Sequence, residues 1–149
     1  MVIGIIGENC TGKSTLANTL QHAVAAEIIT GKDYLRLAKS ASEAAVLFKE
    51  KLQKAISGAH ILYVISEREQ LAFLPSQAIK VLVTADLSDI KERFRARMRG
   101  NLPAPVEQML ERNHGMFDSE ACHVRYHSGH DDLDEAVAGI IRLLTPAAE

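Results

Sequence analysis

The chain has 149 residues, 47% of them hydrophobic, enough to bury the core of one domain over 1–149 and too short to make a second one expected. A formal net charge of −2 at pH 7 excludes a dominant role on nucleic acid or on an anionic membrane surface. Cys10 and Cys122 make no disulfide framework, and the apolar start of the chain is too short for a leader or a membrane span, so a reducing, cytoplasmic setting is expected.

The first element is Val2-Ile3-Gly4-Ile5-Ile6, a short buried strand, and Leu16, Leu20 and Val24 at helical spacing predict a helix from Ser14 to about Val24. Between them Gly7-Glu8-Asn9-Cys10-Thr11-Gly12-Lys13-Ser14 fits the phosphate-loop pattern G-x-x-x-x-G-K-[ST] at every fixed position. The residue types follow from the chemistry. Gly7 and Gly12 lack a Cβ, so consecutive backbone N–H groups can close around a polyphosphate as a nest. The helix opening near Lys13 aims unpaired N–H groups and its positive dipole end at the same anion, and Lys13 adds a point charge for the outer phosphates. Ser14 offers its hydroxyl to the Mg²⁺ that bridges those phosphates. Gly7, Glu8, Asn9, Cys10, Thr11, Gly12, Lys13, Ser14 and Thr15 are therefore the candidate nucleotide-binding residues. Cys10 sits where its thiol could be activated, but a small residue that fits the loop is the better reading.

Residues 26–30 predict a second strand, after which Gly31-Lys32-Asp33 turns the chain. Asp33 lands at a strand-to-helix junction, where a carboxylate can organise metal-bound water or accept a hydroxyl proton; an ordinary turn aspartate is the alternative. Ser40-x-x-Glu43 has the form of a capping box, and Ala45, Phe48, Leu52 and Ile56 give one apolar face to a helix ending near Gly58. Residues 60–65 predict a central strand with a polar exit, Ser66-Glu67-Arg68-Glu69-Gln70. Glu67 is the candidate acidic group after that strand, against the alternative of an exposed loop glutamate.

Residues 79–83 predict a fourth strand, and Asp86, read as an N-cap with Asp89 behind it, opens a helix with Leu87, Ile90, Phe94 and Met98 on its core side. That helix carries Lys91, Arg93, Arg95, Arg97 and Arg99 at alternate positions, which cannot all converge on one ligand. Arg93 and Arg97 share one flank and Arg95 and Arg99 the other, so one pair at most faces phosphate. Residues 100–105 break the helix, a further helix runs from about Val106 to Arg112, and the region 96–117 is the expected lid, able to bring Arg99 or Arg112 inward. Residues 122–126 form a weak fifth strand, and Leu133, Val137, Ile140, Ile141 and Leu144 describe a closing helix, with Pro146 ending regular structure. Six histidines raise the question of a metal, but Cys122, His123, His127 and His130 fit no zinc spacing, and no histidine metal site is expected. Strands alternating with helices predict an α/β fold: a parallel five-stranded sheet covered on both faces, with ligands at the carboxyl ends of the strands.

These residues resemble the small P-loop kinases, the group of nucleoside monophosphate kinases, shikimate kinase and dephospho-coenzyme A kinase. Gly7 to Ser14 is the specific part of the likeness. Thr30-Gly31-Lys32-Asp33-Tyr34-Leu35-Arg36 is similar to the Thr-Gly-Asp-x-x-Arg segment of adenylate kinases with one residue added, which implies Asp33 and Arg36 at the acceptor site. Residues 90–97 are similar to the arginine-bearing helix that leads into the lid, which favours Arg93 and Arg97, and residues 123–129 to the last strand and base-contacting loop. Ser66-Glu67-Arg68 lacks both the Asp-Gly-Phe-Pro-Arg of adenylate kinases and the Gly-Gly-Gly of shikimate kinases, so neither specificity carries over. The resemblance implies a three-layer P-loop fold with a short lid, the cofactors ATP and Mg²⁺, and γ-phosphoryl transfer to a small anionic acceptor. Lys13, Asp33, Arg93 and Arg97 would serve catalysis, and Asp33, Arg36, Glu67 and Arg68 the acceptor. Two other readings stay open: a nucleotide-binding regulator or slow NTPase without an acceptor, and a partner subunit that keeps the loop but not turnover.

Overall fold

The computed structural model describes residues 1–144; the proposed stop at Pro146 lies outside them. Five strands, β1 (Val2–Ile6), β2 (Ala26–Thr30), β3 (His60–Ile65), β4 (Ile79–Thr84) and β5 (Val124–His127), form one sheet in the order β2-β3-β1-β4-β5. Every pairing is parallel, with Ile6 in register with Ile65 on one side and Leu82 on the other. β1 is central and buried at every residue, as a continuous apolar run bounded by two parallel neighbours requires.

The two-residue repeat of the strands divides the core. Ile3, Ile5, Leu62, Val64, Val81 and Val83 face α1 (Lys13–Ala23) and α5 (Leu133–Leu144) through Leu16, Leu20, Val137 and Ile140. Val2, Ile6, Tyr63, Ile65 and Leu82 face α2 (Ala41–Ala55) through Phe48 and Leu52, with Phe117 filling the far end. Gly4 shares that second face because Leu74 lies against it: a Cβ there would stand 2.7 Å from Leu74 Cδ1. A third, smaller cluster of Cys10, Ala85, Ile90 and Leu110 joins the phosphate loop to α3 (Leu87–Arg97) and α4 (Ala104–Asn113).

Several local expectations shift. Ser40 Oγ does accept from Glu43 N at 3.2 Å, but the buried face of α2 is Ala44, Phe48, Leu52 and Ala55, one residue from the expected Ala45 and Ile56 at its ends. The polar exit of β3 is not irregular: residues Arg68–Phe73 form a 3-10 turn, steadied by Gln70 Oε1, which accepts from both Ser66 N and Glu67 N. A second 3-10 turn, Asp33–Leu37, follows β2. Met98 does not join the core; α3 ends at Arg97 and Met98 is 50% exposed. β5 begins at Val124, leaving Cys122 and His123 ahead of it. Asp86 occupies the N-cap position of α3 without a side-chain cap bond, because its carboxylate is engaged by two histidines.

Candidate active site

The phosphate loop begins where β1 ends, and Gly7 N donates to Ile65 O at 3.1 Å, so the loop leaves the sheet from its central strand. A Cβ on Gly7 would lie 2.5 Å from Val83 O and 2.7 Å from Thr11 Oγ1, which makes glycine obligatory at this crossing. Cys10 and Gly12 take positive φ, 65° and 105°, and this reversal turns successive amides inward before Lys13 opens α1. Cys10 is buried against Ala85 and Ile90, consistent with a packing role.

Lys13 is buried, and its ammonium donates to Glu8 O, an oxygen that also accepts from Thr11 Oγ1 at 2.9 Å. Burial, with Arg97 adding like-charge repulsion, brings Lys13 down to about 8, although Cys10 and Glu8 act in the opposite direction. Glu8 is buried as well. Its Oε1 lies 3.2 Å from His114 Nδ1 and its Oε2 accepts from Gly115 N at 3.2 Å, so the loop is tied to the segment after α4. Burial raises the Glu8 carboxyl above the ordinary carboxylate range despite those two partners.

The other wall comes from the opposite end of the chain. Ser128 follows β5, and its hydroxyl donates to Thr11 O while accepting from Arg93 Nη1 at 3.0 Å. The same Arg93 nitrogen donates to Cys10 O at 3.0 Å. A cavity of about 460 Å³ opens between these groups, lined by Gly12 and Thr15 of the loop and helix, Arg93 and Arg97 of α3, and Tyr126 and Ser128 of β5 and its exit. Arg93 and Arg97 thus stand on the same wall as the loop. Ser14 is exposed on the first turn of α1, and Asn9 is exposed at the rim.

Across the loop a second cavity, of about 380 Å³, is lined by Asn9, Ser66, Glu67, Arg68, Asn113 and Met116 among others. Arg68 Nη2 donates to Met116 O, and Glu67 lies 4.0 Å from Lys32. Asp33 and Arg36 are not among the walls of this cavity. Asp33 Oδ2 accepts from Thr30 N at 3.4 Å across its own turn, and Arg36 is exposed with no ion pair among the described residues. Arg95, Arg99 and Arg112 are likewise exposed.

Ser128 and Tyr126 enter the sequence analysis only through the likeness of residues 123–129 to the last strand and base-contacting loop, and not as site residues in their own right. Their position follows from β4 and β5 pairing, with Thr84 in register with His127, which no local pattern encodes. No helix among the described residues is long and apolar enough to cross a membrane.

Loop, strand order and flanking helices together define the fold of the small P-loop kinases. Solved structures share this fold. The YorR protein of Bacillus subtilis, solved in complex with phosphorylated GDP, matches with a TM-score of 0.62 at 27% identity, over 97% of this chain and 95% of that one. A gluconokinase from Sinorhizobium meliloti matches with a TM-score of 0.62 at 18% identity, over 95% of this chain and 92% of its own. The shikimate kinase of Aquifex aeolicus matches with a TM-score of 0.54 at 17% identity, over 97% and 96%. No family model matches, and no curated protein matches in sequence.

Proposed function

We propose that the chain is an ATP-dependent phosphotransferase that moves the γ-phosphoryl group to a small acceptor carrying a hydroxyl and an anionic group. The observation that carries this reading is the common wall: the phosphate loop, Arg93 and Arg97 line one cavity, while Asn9 at the loop's rim opens onto a second. Donor and acceptor cavities meeting at one loop is what direct group transfer needs, because the reacting atoms must be held in line.

In this reading the amides of residues 7–14 and Lys13 hold the β- and γ-phosphates. The exposed hydroxyl of Ser14 fits a hard cation such as Mg²⁺, which when bound neutralises charge across the phosphates. Arg97 reaches the transferring group, and Arg93, fixed by Cys10 O and Ser128 Oγ, keeps the donor wall in place. Arg68 exchanges its bond to Met116 O for the acceptor's anion, and Glu67 aligns the acceptor's hydroxyl. Asp33 and Arg36 enter the acceptor site only if the turn between β2 and α2 moves, while Glu8 ties the phosphate loop to residues 114–115, inside the proposed lid of 96–117.

The outward placement of Asp33 and Arg36 favours a second reading, a slow NTPase or nucleotide-binding regulator with no acceptor. ATP consumption measured with and without a panel of hydroxy acids, nucleosides and nucleotides separates the two. Acceptor-dependent turnover is expected; acceptor-independent turnover supports the regulator, and no turnover with intact ATP binding supports a subunit that retains only the loop.

A further inference from the structure

Outside the two cavities, Asp86, His127 and His130 converge at the carboxyl ends of β4 and β5. Their ligand atoms all lie within 4.8 Å of one another, although the three are spread over two separate stretches of sequence. Two features of the fold bring them together. Thr84 is in register with His127 across the parallel pair, so Asp86, two residues past the end of β4, meets the last residue of β5. The turn after β5 is then closed by Asp131 Oδ2, which accepts from His127 N at 2.8 Å, and by His127 O, which accepts from His130 N at 3.2 Å. Gly129, at φ 89°, completes the reversal and folds His130 back toward Asp86.

Both imidazoles present Nε2 to one carboxylate, His127 at 3.1 Å from Oδ1 and His130 at 2.9 Å from Oδ2. The first imidazole is also oriented from behind, with its Nδ1 2.7 Å from Thr84 Oγ1. That outer contact has a chemical consequence. When Nδ1–H donates to the threonine hydroxyl, the Nε2 lone pair is directed at the carboxylate oxygen and a cation can bridge the two; with Nε2–H toward Asp86 instead, the threonine hydroxyl donates to Nδ1.

We propose that Asp86, His127 and His130 form a binding site for a zinc-class divalent cation that fastens the turn after β5 to the end of β4. Two imidazole nitrogens and one carboxylate suit Zn²⁺ or Co²⁺, whose bonds of about 2.0–2.2 Å replace the present hydrogen bonds with small movements. Three protein ligands on an exposed corner leave a fourth position for water. Mg²⁺ is a poor occupant, since it prefers oxygen ligands in octahedral array, so the site is chemically separate from Ser14. Ser128 and Gly129 lie between the two histidine ligands and line the 460 Å³ cavity, so the cation fixes one wall of that cavity. The site stands whether or not the chain transfers phosphate, because it is read with the metal alone.

The test uses the full chain with both cysteines reduced and no nucleotide. Co²⁺ binding is followed by its visible absorption, and Zn²⁺ binding by calorimetry and by competition with Co²⁺. One equivalent is expected, lost in His127→Ala and in His130→Ala, unchanged in His22→Ala, and weakened about 10–100-fold in Thr84→Val, the outer partner. Zn²⁺ should raise the unfolding midpoint of the wild type and not of His130→Ala, whose exposed side chain can be removed without disturbing the core. Wild-type chain that binds neither ion, or a His130→Ala variant that binds Zn²⁺ as tightly as the wild type, overturns the assignment.

Discussion

Replacing Lys13 by methionine should make the unliganded protein more stable while weakening triphosphate binding. The lysine ammonium is buried under the loop, and burial lowers its pKa from 10.5 to about 8. At about 1.4 kcal/mol per pH unit, that gap is a penalty of about 3 kcal/mol on the charged form. Methionine has similar length and is a good helix former at the first position of α1. The carbonyl that Lys13 leaves behind, Glu8 O, keeps its bond from Thr11 Oγ1, so no buried acceptor is orphaned. For a chain of this length the gain corresponds to a rise of about 5–10 °C in the unfolding midpoint near pH 7. The pH dependence supplies the sign. Below about 8 the lysine is charged in both folded and unfolded chains and the penalty is complete; between about 8 and 10.5 the unfolded chain binds more protons. Wild-type stability relative to Lys13→Met should therefore rise across that window. Thermal unfolding of both proteins across this pH range, with ATP-Mg²⁺ titrations alongside, tests it. A midpoint for Lys13→Met at or below that of the wild type, or a difference that does not change with pH, refutes the argument. Losing one charge-assisted contact should also weaken triphosphate binding by about 10–100-fold.

Arg97→Ala should lower turnover on the order of 10³-fold, whereas Arg95→Ala, exposed like Arg97 but not among the walls of the 460 Å³ cavity, should change it little; single-turnover rates with a working acceptor compare them. Gly7→Ala should destabilise by about 1–3 kcal/mol, since its Cβ meets the Val83 carbonyl, a backbone atom that cannot rotate away; denaturant midpoints read the loss. Tyr63→Phe removes the 2.8 Å bond from the phenol to Gly31 O and should cost about 1 kcal/mol in the same assay. Burial pushes the Tyr63 phenol well above its ordinary pKa, so alkaline titration of the wild type against Tyr63→Phe should show this phenol ionising only at a pH above that of a free tyrosine.

What could be read from the sequence was what neighbours in sequence decide. The phosphate loop and α1 are legible because Gly7, Gly12, Lys13 and Ser14 act within one turn of backbone, and β1 because both faces of a central parallel strand are apolar. Asp86 shows where this fails. A cap needs only the residues after it, so the local pattern sufficed for the wrong partner, while the histidines that take its carboxylate lie 41 and 44 positions away. Glu8 reads as a variable loop position, yet it reaches His114 across 106 positions. Met98 falls on the helical stripe with Ile90 and Phe94, but the helix stops one residue short and turns it outward. The two 3-10 turns carry too few residues to display a period at all.

The bond from Ser128 to the phosphate loop joins residues 117 positions apart, and this bears on the order in which the protein is made. Everything that defines the loop locally is translated within the first turn of α1, long before β5 exists. Until β5 docks beside β4, the Thr11 carbonyl lacks its hydroxyl donor and Arg93 lacks one of its two anchors. On the proposed function, a ribosome-bound chain halted ahead of Ser128 should therefore fail to retain nucleotide. On that proposal, nucleotide capture would report that the chain has been made through β5.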